Sequence, residues 1–186
     1  MNTNETMKPI EKKESIGDEW QTPDWLYNAL DSEFHFDIDV ACNFKNSKAK
    51  FGLFGTGLID EWNYDMKTNH GAKTVFCNPP YSNITPWVRK AVEQLDNGVT
   101  SVFLVPSSTD TAWFQFCIYN AREIRFITSD GKRSGRVHFI NPNTKKTVTG
   151  NTSGSCIIVF KPRGFLTPNT PKISYVTIND LRSRND

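Results

Sequence analysis

The segment Asn78-Pro79-Pro80-Tyr81 has the side chains and the backbone stiffness needed to hold an aromatic amine. Asn78 and Pro79 each precede a proline, which pushes their backbones to extended conformations, and each proline fixes its own φ. The Asn78 side-chain oxygen and the Pro79 carbonyl oxygen can then both accept hydrogen bonds from one amino group. Two such bonds draw the hydrogens out of the ring plane and free the nitrogen lone pair, so the amine becomes a nucleophile without prior deprotonation.

Tyr81 adds an aromatic face on which a nucleobase can stack, an interaction worth about 1–3 kcal/mol. The exocyclic amine of a base in a duplex is sealed in the stack, so the base must leave the helix before it reacts. For a bare Pro-Pro pair, the simpler interpretation is that the prolines end a strand and the tyrosine fills the core. The asparagine before them and the tyrosine after them favour the chemical interpretation.

The elements that must position this motif predict a parallel α/β sheet. Residues 73–77 form a short apolar strand that stops at the prolines, because proline cannot donate to a sheet ladder. Further strands are predicted over 101–105 and 123–128, alternating with helices over 85–96 and 110–119. Open α/β sheets bind ligands at the carboxyl ends of their strands, and the motif lies at such an end.

The chain before the motif is predicted to hold one more helix and one more strand. Thr22-Pro23-Asp24 is typical of a helix start, with Thr22 as the capping residue, and this helix is expected to end near Ser32. Residues 34–41 alternate and are predicted to be a strand. Residues 44–72 are expected to be mostly loop with short pieces of helix or strand.

The last third of the chain has a different character. Residues 136–149 are predicted to form a basic hairpin around a proline turn, and residues 155–160 an apolar strand that rejoins the sheet. We expect a flexible segment over residues 1–17, a single domain over 18–162 and a surface tail over 163–186.

Charge is distributed unevenly along the chain. Residues 1–120 contain 10 Lys and Arg against 16 Asp and Glu, whereas residues 121–186 contain 12 against 4. A basic end beside an acidic body suits a protein with one face on a phosphate backbone and another that holds a cationic cofactor. Random drift of surface charges during evolution, without any function, would produce the same uneven distribution. Between residues 130 and 150, five basic side chains either lie along DNA phosphates or form a solvated hairpin: Lys132, Arg133, Arg136, Lys145 and Lys146.

The sequence indicates no membrane span, metal site or disulfide framework. No apolar run approaches the roughly 20 residues needed to cross a bilayer. The three histidines and four cysteines are scattered without metal-ligand spacing, so neither a zinc site nor a disulfide framework is predicted. We expect the cysteines to be reduced core residues, and the protein to stay in the cytoplasm without metal, membrane or obligate protein partner.

Several short segments, taken in order, resemble the phage-type DNA N-6-adenine methyltransferase (Dam) family over roughly residues 18–162. They are Trp20 to Pro23, Phe36 to Ala41, Gly57-Leu58 with Trp62, Phe76 to Tyr81, Trp87-Val88, and Gly135 to Phe139. The resemblance implies a Rossmann-like methyltransferase fold and transfer of a methyl group from S-adenosylmethionine to the N6 amine of a flipped-out adenine in double-stranded DNA. It also makes Asn78-Pro79-Pro80-Tyr81 the catalytic motif and places Arg136 either on DNA or near the base.

The resemblance further implies a set of cofactor contacts. Trp20, Thr22 and Pro23 match a family segment at the methionine end of the cofactor, and Asp39 matches the acidic residue that faces its ammonium group. Each residue also has a simpler interpretation without a cofactor. Thr22 then only caps its helix, and Asp39 is only a carboxylate at the end of a strand. The family's glycine-rich turn is absent after Ala41, and Thr56 stands where an acidic residue is expected. The partner of the cofactor's adenosine is therefore Asp60 or Asp65.

Two other functions fit the same residues. Asn-Pro-Pro-Tyr also occurs in enzymes that methylate glutamine side chains in proteins, although such an enzyme has no reason to carry a basic hairpin. The missing glycine turn is also compatible with an inactive DNA-binding accessory protein of the same fold.

Overall fold

The structure is a computed structural model that describes residues 16–62, 73–148, 152–164 and 170–184. Within these ranges the chain forms a sheet of seven strands. They are β1 (Ile38–Cys42), β2 (Phe51–Phe54), β3 (Thr74–Cys77), β4 (Thr100–Pro106), β5 (Glu123–Thr128), β6 (Ser155–Phe160) and β7 (Lys172–Thr177). Their order across the sheet is β2-β1-β3-β4-β6-β5-β7.

The sheet is mixed and mostly parallel. Strand β6 runs antiparallel to its neighbours β4 and β5, whereas the other pairings between the described strands are parallel. The predicted α/β fold is confirmed, and the arrangement is compatible with a Rossmann-like methyltransferase. Because β1, β3, β4 and β5 point the same way, the segments that follow them meet at one border of the sheet, which we call the carboxyl edge.

Helices cover both faces of the sheet. They are α1 (Asp24–Phe34), α2 (Thr85–Glu93), α3 (Ala112–Asn120) and α4 (Ile178–Ser183), preceded by a 3-10 helix, Ile16–Glu19. On one face, Val88 of α2 and Phe114 of α3 are buried in a single apolar cluster with the sheet. On the other face, Leu30 of α1 and Leu181 of α4 belong to a second cluster. All four cysteines are buried, so their predicted place in the core is confirmed.

The first strand is shorter than predicted. Helix α1 continues to Phe34 and ends at His35, whose φ is 54° and whose N–H donates to the Asp31 carbonyl over 2.8 Å. Strand β1 begins only at Ile38. The alternation of Phe34 and Phe36 reflects ring packing rather than a sheet, since the two rings stack with centroids 6.0 Å apart.

The C-terminal segment differs from the predicted surface tail. Residues 172–177 form β7, which pairs with β5 along its whole length, and α4 follows directly. Thr177 and Asp180 form a capping box at the start of α4. Arg184 binds Glu33 of α1 at 2.7 Å, so the end of the chain is tied to the helix that opens the fold.

None of the helices in the described ranges has both the length and the apolar character that crossing a membrane requires.

Candidate active site at the carboxyl edge

The Asn78-Pro79-Pro80-Tyr81 segment leaves the sheet at the end of β3 and leads into α2, as predicted. Pro79 is buried, and its neighbours in the motif are half-buried. The Pro80 carbonyl accepts a hydrogen bond from the Asn83 N–H over 3.1 Å, which closes a turn before the helix. The motif is therefore held at both ends by regular structure.

The Asn78 side chain is the polar centre of the site. Its amide nitrogen donates to the Trp20 carbonyl over 3.4 Å, whereas its oxygen Oδ1 is buried and has no hydrogen-bond partner among the described residues. A buried acceptor without a donor costs about 1–3 kcal/mol. The fold thus keeps a costly acceptor at the position where the sequence predicts one for an amine. The companion acceptor, the Pro79 carbonyl, stays a prediction.

Three aromatic rings surround this acceptor. Tyr81 meets Phe139 edge to face with ring centroids 5.8 Å apart, and Trp20 stacks on Phe139 with ring centroids 6.3 Å apart. The Tyr81 hydroxyl is buried without a partner among the described residues, and its burial raises the pKa of the phenol far above the usual range. Tyr81 is therefore neutral at any physiological pH.

A small cavity lies between these groups, and we call it the base pocket. It is lined by Asp18, Trp20, Asn78, Pro79, Tyr81 and Phe139. Its free space is about 10 Å³, which is room for about one water molecule and far too little for a purine. The base pocket is therefore closed to a base in this structure.

Residues 16–20, which we call the N-terminal strap, close the base pocket. The Asp18 carboxylate accepts hydrogen bonds from the Ser82 N–H over 3.0 Å and from the Ser82 Oγ over 2.6 Å. The Trp20 carbonyl and ring provide the contacts to Asn78 and Phe139 described above. The Asp18 carboxylate and Trp20 thus hold the strap over Asn78. Sequence reasoning assigned no role to Asp18, Ser82 or Phe139, because their contacts span distant parts of the chain.

Asp39, the second residue of β1, is a buried carboxylate. It is 3% exposed, and it accepts hydrogen bonds from the backbone N–H groups of Ala41 at 3.3 Å and Lys48 at 3.0 Å. Burial raises the pKa of Asp39 to about 7, against the lowering effect of these two bonds and of the Lys48 charge. A cation placed beside this carboxylate would be strongly favoured.

Thr22 is not the cap of α1. The helix begins at Asp24 with Pro23 in the capping position, no side chain provides a cap bond, and the Pro23 carbonyl accepts the N–H groups of Leu26 and Tyr27 at 3.1 Å each. The predicted cap was wrong because the helix starts one residue later than the pattern suggests. Thr22 is instead a buried residue, 2% exposed.

The other two acidic candidates lie beyond β2. Asp60 is exposed and its N–H donates to the Thr56 carbonyl, whereas Asp65 lies outside the described residues.

Gly57, nearby, has a clear structural role, since a Cβ there would lie 1.8 Å from the Val40 carbonyl oxygen. Trp62 is fully buried and donates its indole N–H to the Gly57 carbonyl over 2.6 Å.

The basic segment between β5 and β6 also lies at the carboxyl edge. All five of its predicted DNA-binding side chains are exposed: Lys132, Arg133, Arg136, Lys145 and Lys146. The predicted hairpin is reduced to one bridge between Ile140 and Thr147. It stays short because Val137 and Phe139 turn into the core and because Ile140 also pairs with Gln21.

Comparison with known proteins identifies the family. The family model described as DNA N-6-adenine-methyltransferase (Dam) matches residues 10–185. The chain belongs to this family. The match extends over β7 and α4, beyond the part of the chain in which the sequence motifs resemble the family.

Two Dam-family relatives illustrate the similarity. The chain is 29% identical over 175 residues to the DNA N-6-adenine-methyltransferase of Haemophilus phage HP1, a match that covers 92% of this chain and 94% of the relative. It is 33% identical over 159 residues to the DNA N-6-adenine-methyltransferase of Escherichia phage T1, where the match covers 80% of this chain and 64% of the relative.

Proposed function

We propose that this Dam-family chain transfers a methyl group from S-adenosylmethionine to the N6 amine of an adenine that has been flipped out of duplex DNA. The observation that carries the proposal is the buried, partnerless Asn78 Oδ1 at the carboxyl end of β3, inside a pocket walled by aromatic rings. An adenine amine in that pocket supplies the missing donor. The favourable hydrogen bond offsets the cost that the fold bears without it.

The motif activates the amine by holding it. Asn78 Oδ1 and the Pro79 carbonyl accept the two N–H groups of N6, which directs the nitrogen lone pair away from the ring. Bound S-adenosylmethionine supplies an electrophilic methyl group on a positively charged sulfur. Because Asn78 and Pro79 stand on a proline-stiffened segment, the acceptors need no reorganisation when the amine arrives.

The base can enter only after the N-terminal strap has moved. Trp20 and Asp18 occupy the side of the pocket that the ring of the base requires, and about 10 Å³ of free space excludes a purine. When the strap moves away, the two hydrogen bonds between Asp18 and Ser82 and the contacts of Trp20 are lost. Stacking of the incoming base on Tyr81 and Phe139 offsets this loss. The buried acceptor is thus protected from water until DNA is bound.

The chain also offers a place for the cofactor's cationic end. Asp39 is buried and takes its described hydrogen bonds from backbone amides, so we assign the ammonium group of S-adenosylmethionine to this carboxylate. Trp20, Thr22 and Pro23 precede α1 and remain the proposed contacts of the methionine end, which Trp20 makes once the strap has moved. Asp60 or Asp65 remains the proposed partner of the adenosine.

A methyl-incorporation assay tests the proposal. Radiolabelled S-adenosylmethionine is offered with duplex DNA from a methylation-free host and, in parallel, with a mixture of proteins. We expect label in DNA, recovered as N6-methyladenine after digestion. Label in protein would favour glutamine methylation instead, and binding of DNA without label in either substrate would favour the inactive accessory protein.

A further inference from the structure

Residues 56–62, which we call the β2 turn, follow a strand that runs parallel to β1. They include Gly57-Leu58 and Trp62, which belong to the segments that resemble the Dam family, and Asp60, a proposed partner of the cofactor's adenosine. The Thr56 carbonyl accepts the Asp60 N–H over 2.9 Å, and the Asp60 side chain is exposed. The position of the Asp60 carboxylate therefore depends on what holds the two ends of the turn.

The start of the β2 turn is held between β1 and α2. A Cβ at Gly57 would lie 1.8 Å from the Val40 carbonyl oxygen, so the turn packs directly on the main chain next to Asp39. The same Cβ would lie 2.9 Å from the ring of Trp87, in the first turn of α2. Because α2 follows the Asn78-Pro79-Pro80-Tyr81 motif, one helix connects the proposed catalytic motif to the β2 turn.

The end of the β2 turn is fastened by a glutamine that directly follows α2. Gln94 is fully buried, and its Oε1 accepts the Trp62 N–H over 3.1 Å. Trp62 is itself fully buried and donates its indole N–H to the Gly57 carbonyl over 2.6 Å. Gln94 thus holds one end of the turn directly and the other end through the Trp62 ring.

The Glu61 carboxylate fixes the orientation of the Gln94 amide. Its Oε2 accepts hydrogen bonds from Gln94 Nε2 over 2.6 Å and from Asn97 Nδ2 over 2.7 Å. Lys90 Nζ lies 3.4 Å from its Oε1. The hydrogen bond from Gln94 is the main influence that lowers the pKa of Glu61 below its usual range, so the acceptor is charged at neutral pH. A charged acceptor strengthens this hydrogen bond and leaves the amide oxygen for Trp62.

We propose that Gln94 and Glu61 are positioning residues, which hold the β2 turn in place for the adenosine part of the cofactor. This inference rests on the proposed function. Leu58 and Ile59 are apolar but exposed, and beside the Asp60 carboxylate they suit a ligand that has a flat ring and sugar hydroxyls. Neither positioning residue needs to touch the cofactor. A turn released from α2 binds more weakly, because the ligand must then order the turn.

The test uses the full chain and a set of matched variants. Gln94→Met keeps a side chain of similar length but removes its hydrogen bonds. Gln94→Glu combined with Glu61→Gln, the exchanged pair, keeps the acceptor for Trp62 and reverses donor and acceptor between the two side chains, so the network can form again. Ile124→Val is a core substitution in β5, four strands from β1, and it shows what loss of stability alone does.

Calorimetry without DNA measures the binding of S-adenosylmethionine and of methylthioadenosine, which has the adenosine but lacks the ammonium and carboxylate groups. Gln94→Met is expected to weaken both ligands by about tenfold, close to the factor for one ordinary hydrogen bond. The exchanged pair is expected to restore most of both affinities. In kinetics, KM for the cofactor should rise in Gln94→Met while kcat and duplex affinity hold steady, since the loss is one of uniform binding.

Two further measurements keep the test independent of activity and of the buried site. Hydrogen–deuterium exchange without ligand should be faster in the β2 turn of Gln94→Met than in that of the unmodified chain. Glu61→Ala, at an exposed position, leaves the core intact and should weaken both ligands in the same direction by a smaller factor.

Several results would overturn the inference and leave the proposed function intact. They are normal cofactor affinity in both Gln94→Met and Glu61→Ala, an equal loss in Ile124→Val, and no recovery in the exchanged pair. A loss for S-adenosylmethionine with normal binding of methylthioadenosine would assign the network to the methionine end instead. Failure of the unmodified chain to bind S-adenosylmethionine would overturn the proposed function itself, and this inference with it.

Discussion

Asp18 accepts two hydrogen bonds from Ser82, one from its N–H over 3.0 Å and one from its Oγ over 2.6 Å. Ser82 directly follows the Asn78-Pro79-Pro80-Tyr81 motif, so this contact fastens the N-terminal strap to the segment that it covers. This contact therefore contributes to how readily the base pocket opens.

We predict that Asp18→Ala raises kcat/KM for methylation of duplex DNA. Hydrogen bonds to a charged group are worth about 1.5–3 kcal/mol each, and even partial loss of their effect on opening corresponds to a gain of about tenfold. Steady-state kinetics with DNA as the varied substrate measure the effect. Glu19→Ala is the control, because it removes the same charge from an exposed neighbour in the same 3-10 helix. A drop in kcat/KM for Asp18→Ala would instead mean that the strap positions the motif.

Asn78→Ala should abolish methylation while leaving the fold intact. The loss is expected to reach at least 100-fold or so, typical of removing one preorganised group that acts on the reacting atom. The free energy of unfolding should hold steady or rise, since the variant removes a buried acceptor that has no partner among the described residues. Thermal unfolding and a methyl-incorporation assay check both parts. Asn83→Ala, an exposed asparagine in the following turn, should behave like the unmodified chain in both assays.

Binding of S-adenosylmethionine should strengthen as the pH rises through about 7. Burial raises the pKa of Asp39 to about 7, so the carboxyl group is protonated below this pH and ionised above it. Only the ionised form attracts an ammonium group, and affinity should fall by up to about tenfold for each pH unit below the pKa. Calorimetry between about pH 5.5 and 7.5 keeps the cofactor's own amine mostly charged.

The same experiment has an internal control. Cofactor binding near pH 7 should release a proton, because the ammonium lowers the pKa of Asp39, and buffers of different ionisation enthalpy reveal the release. Asp39→Asn should bind weakly at every pH and without proton release. An affinity of the unmodified chain that is constant over this range would remove Asp39 from the cofactor site.

Lys132→Gln combined with Arg133→Gln should weaken duplex binding and lower its salt dependence. These exposed residues lie in a turn where the Asp130 carboxylate accepts their backbone N–H groups at 2.8 and 2.6 Å, so the substitutions remove charge without removing the contacts that shape the turn. Loss of two phosphate contacts lowers the salt slope by about 1.8. Fluorescence anisotropy over a range of salt concentrations measures duplex affinity for this variant, for the unmodified chain and for a control, Lys73→Gln with Lys172→Gln, which removes two charges from exposed lysines. If the variant and the unmodified chain give the same slope of log affinity against log salt, this turn lies away from DNA.

The part of the site that the sequence determined is local. The stiffness of Asn78 to Tyr81 follows from two consecutive prolines, and the strand before it from a run of apolar residues that proline must end. Strand β5 was predicted over its observed range, Glu123–Thr128. Such features depend on neighbouring residues alone, which is why periodicity and turn chemistry were sufficient to place the motif at the end of a strand in a parallel sheet.

The tertiary structure decided what surrounds the motif. Asp18 and Ser82 are 64 residues apart in sequence, and no spacing rule joins a carboxylate to an amide at that distance. The raised pKa of Asp39 comes from burial, and the place of Arg182 beside Trp25 comes from the packing of α4 on α1. Burial and long-range contacts exist only once the chain has collapsed, because they depend on which distant surfaces exclude water together. The sequence alone therefore predicted which chemical group acts, whereas only the folded chain revealed what covers that group.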